Sequence, residues 1–163
     1  MAANGQKDPA KVLDRMMVLC SRREYCRSDI MKKVVMALDG NREEAVCLID
    51  RLVSDKYIDD SRYASAYARD KASIVGWGPV KIRYMLLSKG ISEDIISAAL
   101  EDIDGGRASS KLHKLLEAKA RSLKNDPQKG LKLKRFALSR GYNYDEAAKM
   151  VDAILCKEKD DIL

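Results

Sequence analysis

Apolar residues recur along most of this chain at the three- and four-residue spacing that builds one face of a helix. Ile95, Ile96, Ala99, Leu100 and Ile103 follow that spacing, as do Ala147, Met150, Val151 and Ile154. In the run from Ser61 to Ile74, Tyr63, Ala64, Tyr67 and Ala68 fall on one helical face. The pattern also repeats. The segment KIRYMLLSKGISEDIISAAL from Lys81 superimposes on KLKRFALSRGYNYDEAAKMV from Lys132 at an offset of 51, with Leu87 on Leu138, Ser88 on Ser139 and Gly90 on Gly141. A weaker copy, VVMALDGNREEAVCLIDRLV, starts at Val34, and there Gly40 matches Gly90 at an offset of 50.

Each copy reads as helix, glycine, helix. Gly40, Gly90 and Gly141 follow the last apolar residue of a helix, where a left-handed C-cap is needed and a missing Cβ removes the clash. Start signals come next: Asn41 with Glu44, Ser92 with Glu93 and Asp94, Asn143 with Asp145 and Glu146. A further helical stretch precedes each pair, around residues 9–22, 60–75 and 107–124, the middle one capped by Asp59 or Asp60. Two connectors, Gly76-Trp77-Gly78-Pro79 and Asn125-Asp126-Pro127-Gln128, place Pro79 and Pro127 at positions suited to a helix start.

The expected fold is therefore all-α: three tandem three-helix repeats over residues 1–58, 59–106 and 107–156, followed by a frayed acidic tail at 157–163. Units this small expose much apolar surface alone, so neighbours should stack in series into an elongated, curved array, of either hand.

Composition agrees with that reading. Apolar residues make up 46% and charged residues 34% of 163 positions, enough for a core beneath a highly charged surface, and the low aromatic content favours helices over strands. No run approaches the roughly 20 apolar residues of a membrane span, and MAANGQKDPAK has no apolar stretch to act as a secretory signal, so a cytoplasmic protein is expected. Cys20, Cys26, Cys47 and Cys156 form no CxxC pair, and His113 is the single histidine. Reduced thiols and no metal or other cofactor follow.

Charge is uneven. Residues 107–141 carry eleven basic and two acidic side chains, a net +9 that exceeds the +6 of the whole chain. In Lys111, Lys114, Lys119, Arg121, Lys124, Lys129, Lys132, Lys134, Arg135 and Arg140, only Glu117 and Asp126 intervene. One reading is a solvated pair of helix faces. The other, favoured because solvated faces usually mix both signs, is a surface that attracts phosphates or an acidic groove.

The central block adds a specific motif: Leu52, Tyr57-Ile58-Asp59-Asp60-Ser61-Arg62-Tyr63-Ala64, Tyr67, Arg69, Lys71, Gly76-Trp77-Gly78-Pro79, Lys81, Ile82, Leu86 and Lys89-Gly90-Ile91. It resembles the central repeat of the bacterial RecX family of recombination regulators. Arg27-Ser28-Asp29 resembles the family's Arg-Ser-Glu segment with Asp for Glu, and Arg140-Gly141-Tyr142 matches in the third repeat. The resemblance implies a non-catalytic protein of DNA recombination, repair and the SOS response. It also implies binding in the groove of RecA recombinase filaments on single-stranded DNA, with ATP hydrolysis, strand exchange and co-protease activity suppressed. The partner is thus expected to be the RecA filament, with DNA touched directly or through it and the regulator acting as a monomer.

Candidate contact residues in the central unit are Arg62, Arg69, Lys71, Trp77, Lys81, Arg83 and Lys89. In the basic segment they are Lys111, Lys114, Lys119, Arg121, Lys124, Lys132, Lys134, Arg135 and Arg140. For each, a partner contact and an intramolecular or solvated role both stay open. Tyr63 and Tyr67 read as core, Trp77 as packing or contact, and His113 as a surface helix residue. Gly76-Trp77-Gly78-Pro79 lacks the order of a phosphate loop. No histidine pair, carboxylate cluster or nucleophile with a base suggests an enzyme. A free-standing helical nucleic-acid-binding module is the alternative.

Overall fold

The computed structural model describes residues 8–162, among which the chain forms α-helices and no strand. The helices are α1 (Pro9–Arg22), α2 (Arg27–Ala37), α3 (Arg42–Ser54), α4 (Asp60–Asp70), α5 (Pro79–Ser88), α6 (Glu93–Glu101), α7 (Gly105–Ser122), α8 (Lys129–Ser139) and α9 (Tyr144–Asp160). A π-helical turn, Lys71–Val75, prolongs α4.

Local chemistry sets most of these ends. Gly40, Gly90 and Gly141 hold φ of 89°, 75° and 91° after α2, α5 and α8. Asn41 accepts from the Glu44 N–H at 3.1 Å, and Asp59 from the Arg62 N–H at 3.0 Å. Asn143 and Glu146 form a reciprocal capping box. Asp59 is thus the cap, while the Asp60 carboxylate accepts from the Arg27 N–H at 2.8 Å and ties α4 to the start of α2.

Four expectations need correction. Ser92 occupies the N-cap of α6 without a side-chain hydrogen bond. Pro127 lies two residues ahead of α8, in a turn closed by Asp126, whose carboxylate accepts from the Gln128 N–H at 2.8 Å. Helix α7 opens at Gly105, because Asp104 accepts from the N–H groups of Gly106 and Arg107 and offsets the poor helix propensity of two glycines. Helix α9 runs through Asp160, so most of the stretch expected to fray is helical, held in part by the Lys129–Glu158 ion pair.

Three apolar cores lie along the chain. Val12, Met16, Ile30, Val34, Leu48, Ile49 and Leu52 fill the first, between α1, α2 and α3. Ala64, Ala68, Ile82, Leu86, Ile91 and Ile96 fill the second. Leu112, Leu116, Leu133, Ala137, Val151 and Ile154 fill the third. The second core uses alanine along the buried face of α4, which lets α6 approach closely. Burying one Leu or Ile side chain contributes about 1.5–3 kcal/mol, so cores of this size depend on neighbours for the remainder.

The two joints differ. Between the second and third units the backbones meet directly. The Gly78 N–H donates to the Arg140 carbonyl at 2.7 Å and the Val80 N–H to the Gly141 carbonyl at 3.2 Å, so free donors at the start of α5 are satisfied by carbonyls at the end of α8. A Cβ on Gly78 would lie 2.4 Å from the Gly141 oxygen, and one on Gly141 would lie 2.3 Å from Lys81 Cβ. The π-turn and Gly76 also pack against α7.

Between the first and second units the ties are mostly polar. The Ser28 hydroxyl donates to the Lys89 carbonyl at 2.6 Å, Lys89 donates to Asp29 at 2.7 Å, and Arg62 donates to Glu24 at 2.6 Å. The buried Cys26 side chain adds an apolar anchor in the second core. A cleft of about 440 Å³ opens between Val53 and Ile58 on one side and Ile95 on the other.

Candidate binding surface

The candidate cations separate into those paired within the chain and those without an acidic partner among the described residues. Arg62, though exposed, pairs with Glu24 and donates to the Lys56 carbonyl at 3.1 Å. Lys89 pairs with Asp29. Arg83 pairs with Glu93, Lys132 with Asp126, and Lys134 with Asp152 at 3.8 Å. Arg140 stacks over Phe136 at 4.9 Å and Lys119 over the same ring at 5.1 Å.

Trp77 is half-buried against the second core. The Lys71 ammonium lies 4.8 Å and the Lys81 ammonium 4.5 Å from its ring centroid, with Tyr67 edge-on at 6.4 Å. Lys81 also donates to the Ser139 carbonyl at 3.1 Å. The connector tryptophan thus both packs and gathers cations, and Lys81 spans the joint to the third unit. Tyr63 and Tyr67 pack on the core as their alanine neighbours suggest.

Arg69, Lys111, Lys114, Arg121, Lys124 and Arg135 have no acidic partner within 4.0 Å among the described residues. Lys114 and Arg121 lie on the face of α7 opposite its buried row of Ala108, Leu112, Leu116 and Ala120, and the partly buried Lys111 lies at its flank beside Gly76. Lys111 and Lys114 join Arg107, Ser73 and Ser110 around an open groove of about 570 Å³ whose one acid is Asp104, the helix cap.

The third unit carries less bare charge than its run of basic residues suggests. Helix α9 packs against α7 and α8 and brings Asp152 to Lys134 and Glu158 to Lys129, so part of the +9 is neutralised. Those acids lie about 20 to 30 residues away in sequence, and no local pattern announces them. His113 sits 3.2 Å from Glu117 on the surface of α7. Among the described residues no His, Cys, Asp and Glu cluster is arranged to hold a metal, and no helix is long and apolar enough to cross a membrane.

The Lys89–Asp29 pair carries a pH signature. Burial pushes the Asp29 carboxyl up, but hydrogen bonds from Lys89 and Cys26 together with the lysine charge outweigh it, leaving a value below the ordinary range. Lys89 is raised, chiefly by its hydrogen bond to Asp29. The carboxyl's contribution to stability is present above its unfolded value of about 3.9 and is lost as pH falls through the lower folded value. That of the ammonium is present below about 10.4 and is lost as pH rises through its raised folded value. Asp29→Asn should therefore flatten the acid limb of a stability-versus-pH curve below about pH 4, and an unchanged limb would mean the pair does not couple to folding.

A family profile described as "RecX, second three-helix domain" matches residues 59–100, the span of α4 to α6. The "Regulatory protein RecX" of Chromohalobacter salexigens is 30% identical over 137 residues, covering 82% of this chain and 86% of that protein. The protein of the same name from Clostridium tetani is 36% identical over 112 residues, 66% of this chain. The chain spans about half the length of such clostridial relatives, 51% in that case. Two crystal structures share the fold. A structure titled "regulatory protein RecX" gives a TM-score of 0.77 at 27% identity over 88% of this chain and 71% of that one. RecX from Lactobacillus salivarius gives 0.71 at 25% identity over 95% and 97%. A relative matched along most of both chains, with the same helical architecture, makes this protein a member of the RecX family of regulatory proteins.

Proposed function

We propose that this chain binds RecA recombinase filaments assembled on single-stranded DNA and restrains their ATP hydrolysis, strand exchange and co-protease activity. One observation carries the reading beyond family membership. The units are joined in series, and unpaired cations line an open groove in the third, so that a polyanionic, helically repeating partner meets charge at more than one place. The chemistry is adhesion. Nothing in the arrangement of Trp77, Lys71 and Lys81 or of the α7 cations pairs a nucleophile with a base. Arg69, Lys111, Lys114, Arg121, Lys124 and Arg135 are the candidates for direct contact, with Lys71, Trp77 and Lys81 as a second cluster.

The test is DNA-dependent ATP hydrolysis by the cognate recombinase with this chain titrated in. Hydrolysis should fall at amounts well below one molecule per recombinase protomer. Unchanged hydrolysis, alongside unimpaired binding to bare oligonucleotide, would leave the free-standing nucleic-acid module as the function. The free α7 cations would suffice for that.

A further inference from the structure

Helices α5 and α8 present the same exposed apolar positions in both units, and no described residue covers them. On α5, Val80, Tyr84 and Leu87 are 60%, 70% and 47% exposed. Their i, i+4, i+7 spacing sets them on the face opposite the buried Ile82 and Leu86. On α8, Leu131 and Leu138 are 47% and 40% exposed, opposite the buried Leu133 and Ala137. The offset of 51 that relates the two helices carries Val80 onto Leu131 and Leu87 onto Leu138, and Tyr84 onto the unpaired Arg135. The helices also meet end to end, through the hydrogen bonds from the Gly78 and Val80 N–H groups to the last carbonyls of α8. Two copies of the same apolar ridge are thereby fixed relative to one another.

Charge says what should cover the ridge. No acidic residue lies on either helix, or anywhere in residues 71–92 or 127–144. Lys81 and Arg83 flank the ridge on α5, and Lys132 and Lys134 flank it on α8, at helical positions on either side of the apolar row. Three of these four are balanced by carboxylates from other segments, Glu93, Asp126 and Asp152, in pairs with at least one partly exposed partner that an incoming acid can exchange. Arg135, inside the row on α8, has no such partner among the described residues. Nucleic acid would satisfy the cations and leave the aliphatic side chains facing phosphate and water. A protein surface that combines apolar side chains with Asp or Glu satisfies both.

We infer that the exposed ridge of α5 and α8 is the protein-reading surface of this regulator, docking an acidic and apolar segment of its protein partner, while the α7 cations meet phosphate. The inference rests on the proposed recombinase reading and divides the labour within it.

The experiment compares the unaltered chain with Leu87→Glu, Leu138→Glu and the double variant. All three change surface positions, and circular dichroism with thermal melting should show an unchanged fold. A Leu87→Met, Leu138→Met variant keeps the ridge apolar. Three measurements follow: binding to recombinase filaments on oligo-dT, binding to oligo-dT alone, and the mass in solution by sedimentation. The inference expects the double glutamate variant to bind filaments about tenfold more weakly or worse, to bind oligo-dT as before, and to sediment with the same mass as the parent. The methionine variant should bind filaments normally. Equal filament binding by parent and glutamate variants would overturn the inference while leaving the recombinase reading intact. No filament binding by the parent would defeat that reading itself. A parent dimer that the glutamates dissociate would assign the ridge to a second copy of this chain and also overturn the inference.

Discussion

Replacing Gly141 with alanine is expected to destabilise the protein by about 3 kcal/mol, the largest effect expected at any described glycine. Two costs coincide there. The backbone φ is 91°, in the left-handed region that an L side chain rarely adopts, and the new Cβ would sit 2.3 Å from Lys81 Cβ and 2.5 Å from the Lys81 nitrogen. The neighbour cannot yield cheaply, because the nitrogen belongs to the first turn of α5, which is itself hydrogen-bonded to the end of α8. In a chain of this size such a loss lowers the melting temperature by about 6–12 °C. Gly90→Ala is the control. It has a similar φ of 75° but nothing within 4 Å of the added atom, so only the conformational cost of about 1–2 kcal/mol applies. Equal melting temperatures for the two variants would show that the close approach of α8 to α5 is not held in solution.

Reversing three cations on α7 is the second large effect. Lys111→Glu, Lys114→Glu and Arg121→Glu together should weaken binding to oligo-dT by roughly ten- to a hundredfold at low salt. The slope of log affinity against log salt should fall by about 0.7 for each phosphate that is no longer neutralised. Among the described residues none of the three has an acidic partner within 4.0 Å, though Arg121 shares a cleft with Glu117, Glu158 and Asp161. Lys132 and Lys134 would be poorer choices, since glutamate there would face Asp126 and Asp152 and mix repulsion within the fold with weaker binding. Fluorescence anisotropy over a salt series reads both quantities. An unchanged slope would move the phosphate-binding face off α7.

The helices and their ends were legible because local rules govern them. The left-handed glycines, the Asn41, Asp59 and Asn143 caps and Pro79 at the first turn of α5 are all interactions within a few residues. What escaped had causes farther along the chain. The π-turn at Lys71–Val75 follows no recognisable signal, and it packs against α7 some 35 to 40 residues later. Arg62, a candidate for partner contact in the motif, is taken up by Glu24 across the first joint. The basic segment looked barer than it is because linear counting cannot see α9 fold its acids back onto α8. The motif residues therefore mix two roles, some binding the units to one another and some left to face outward. Sequence shows their presence without sorting them.

The unequal construction of the two joints bears on how the molecule moves. Units two and three are joined by main-chain hydrogen bonds at a contact with no room for a methyl group on Gly78 or Gly141, which should make this the stiffer of the two joints. The first unit is tied on by a handful of side-chain bonds beside a cleft and by the small Cys26 thiol, so bending of the chain is expected to concentrate there. Local opening is expected to be easiest where buried apolar packing is least.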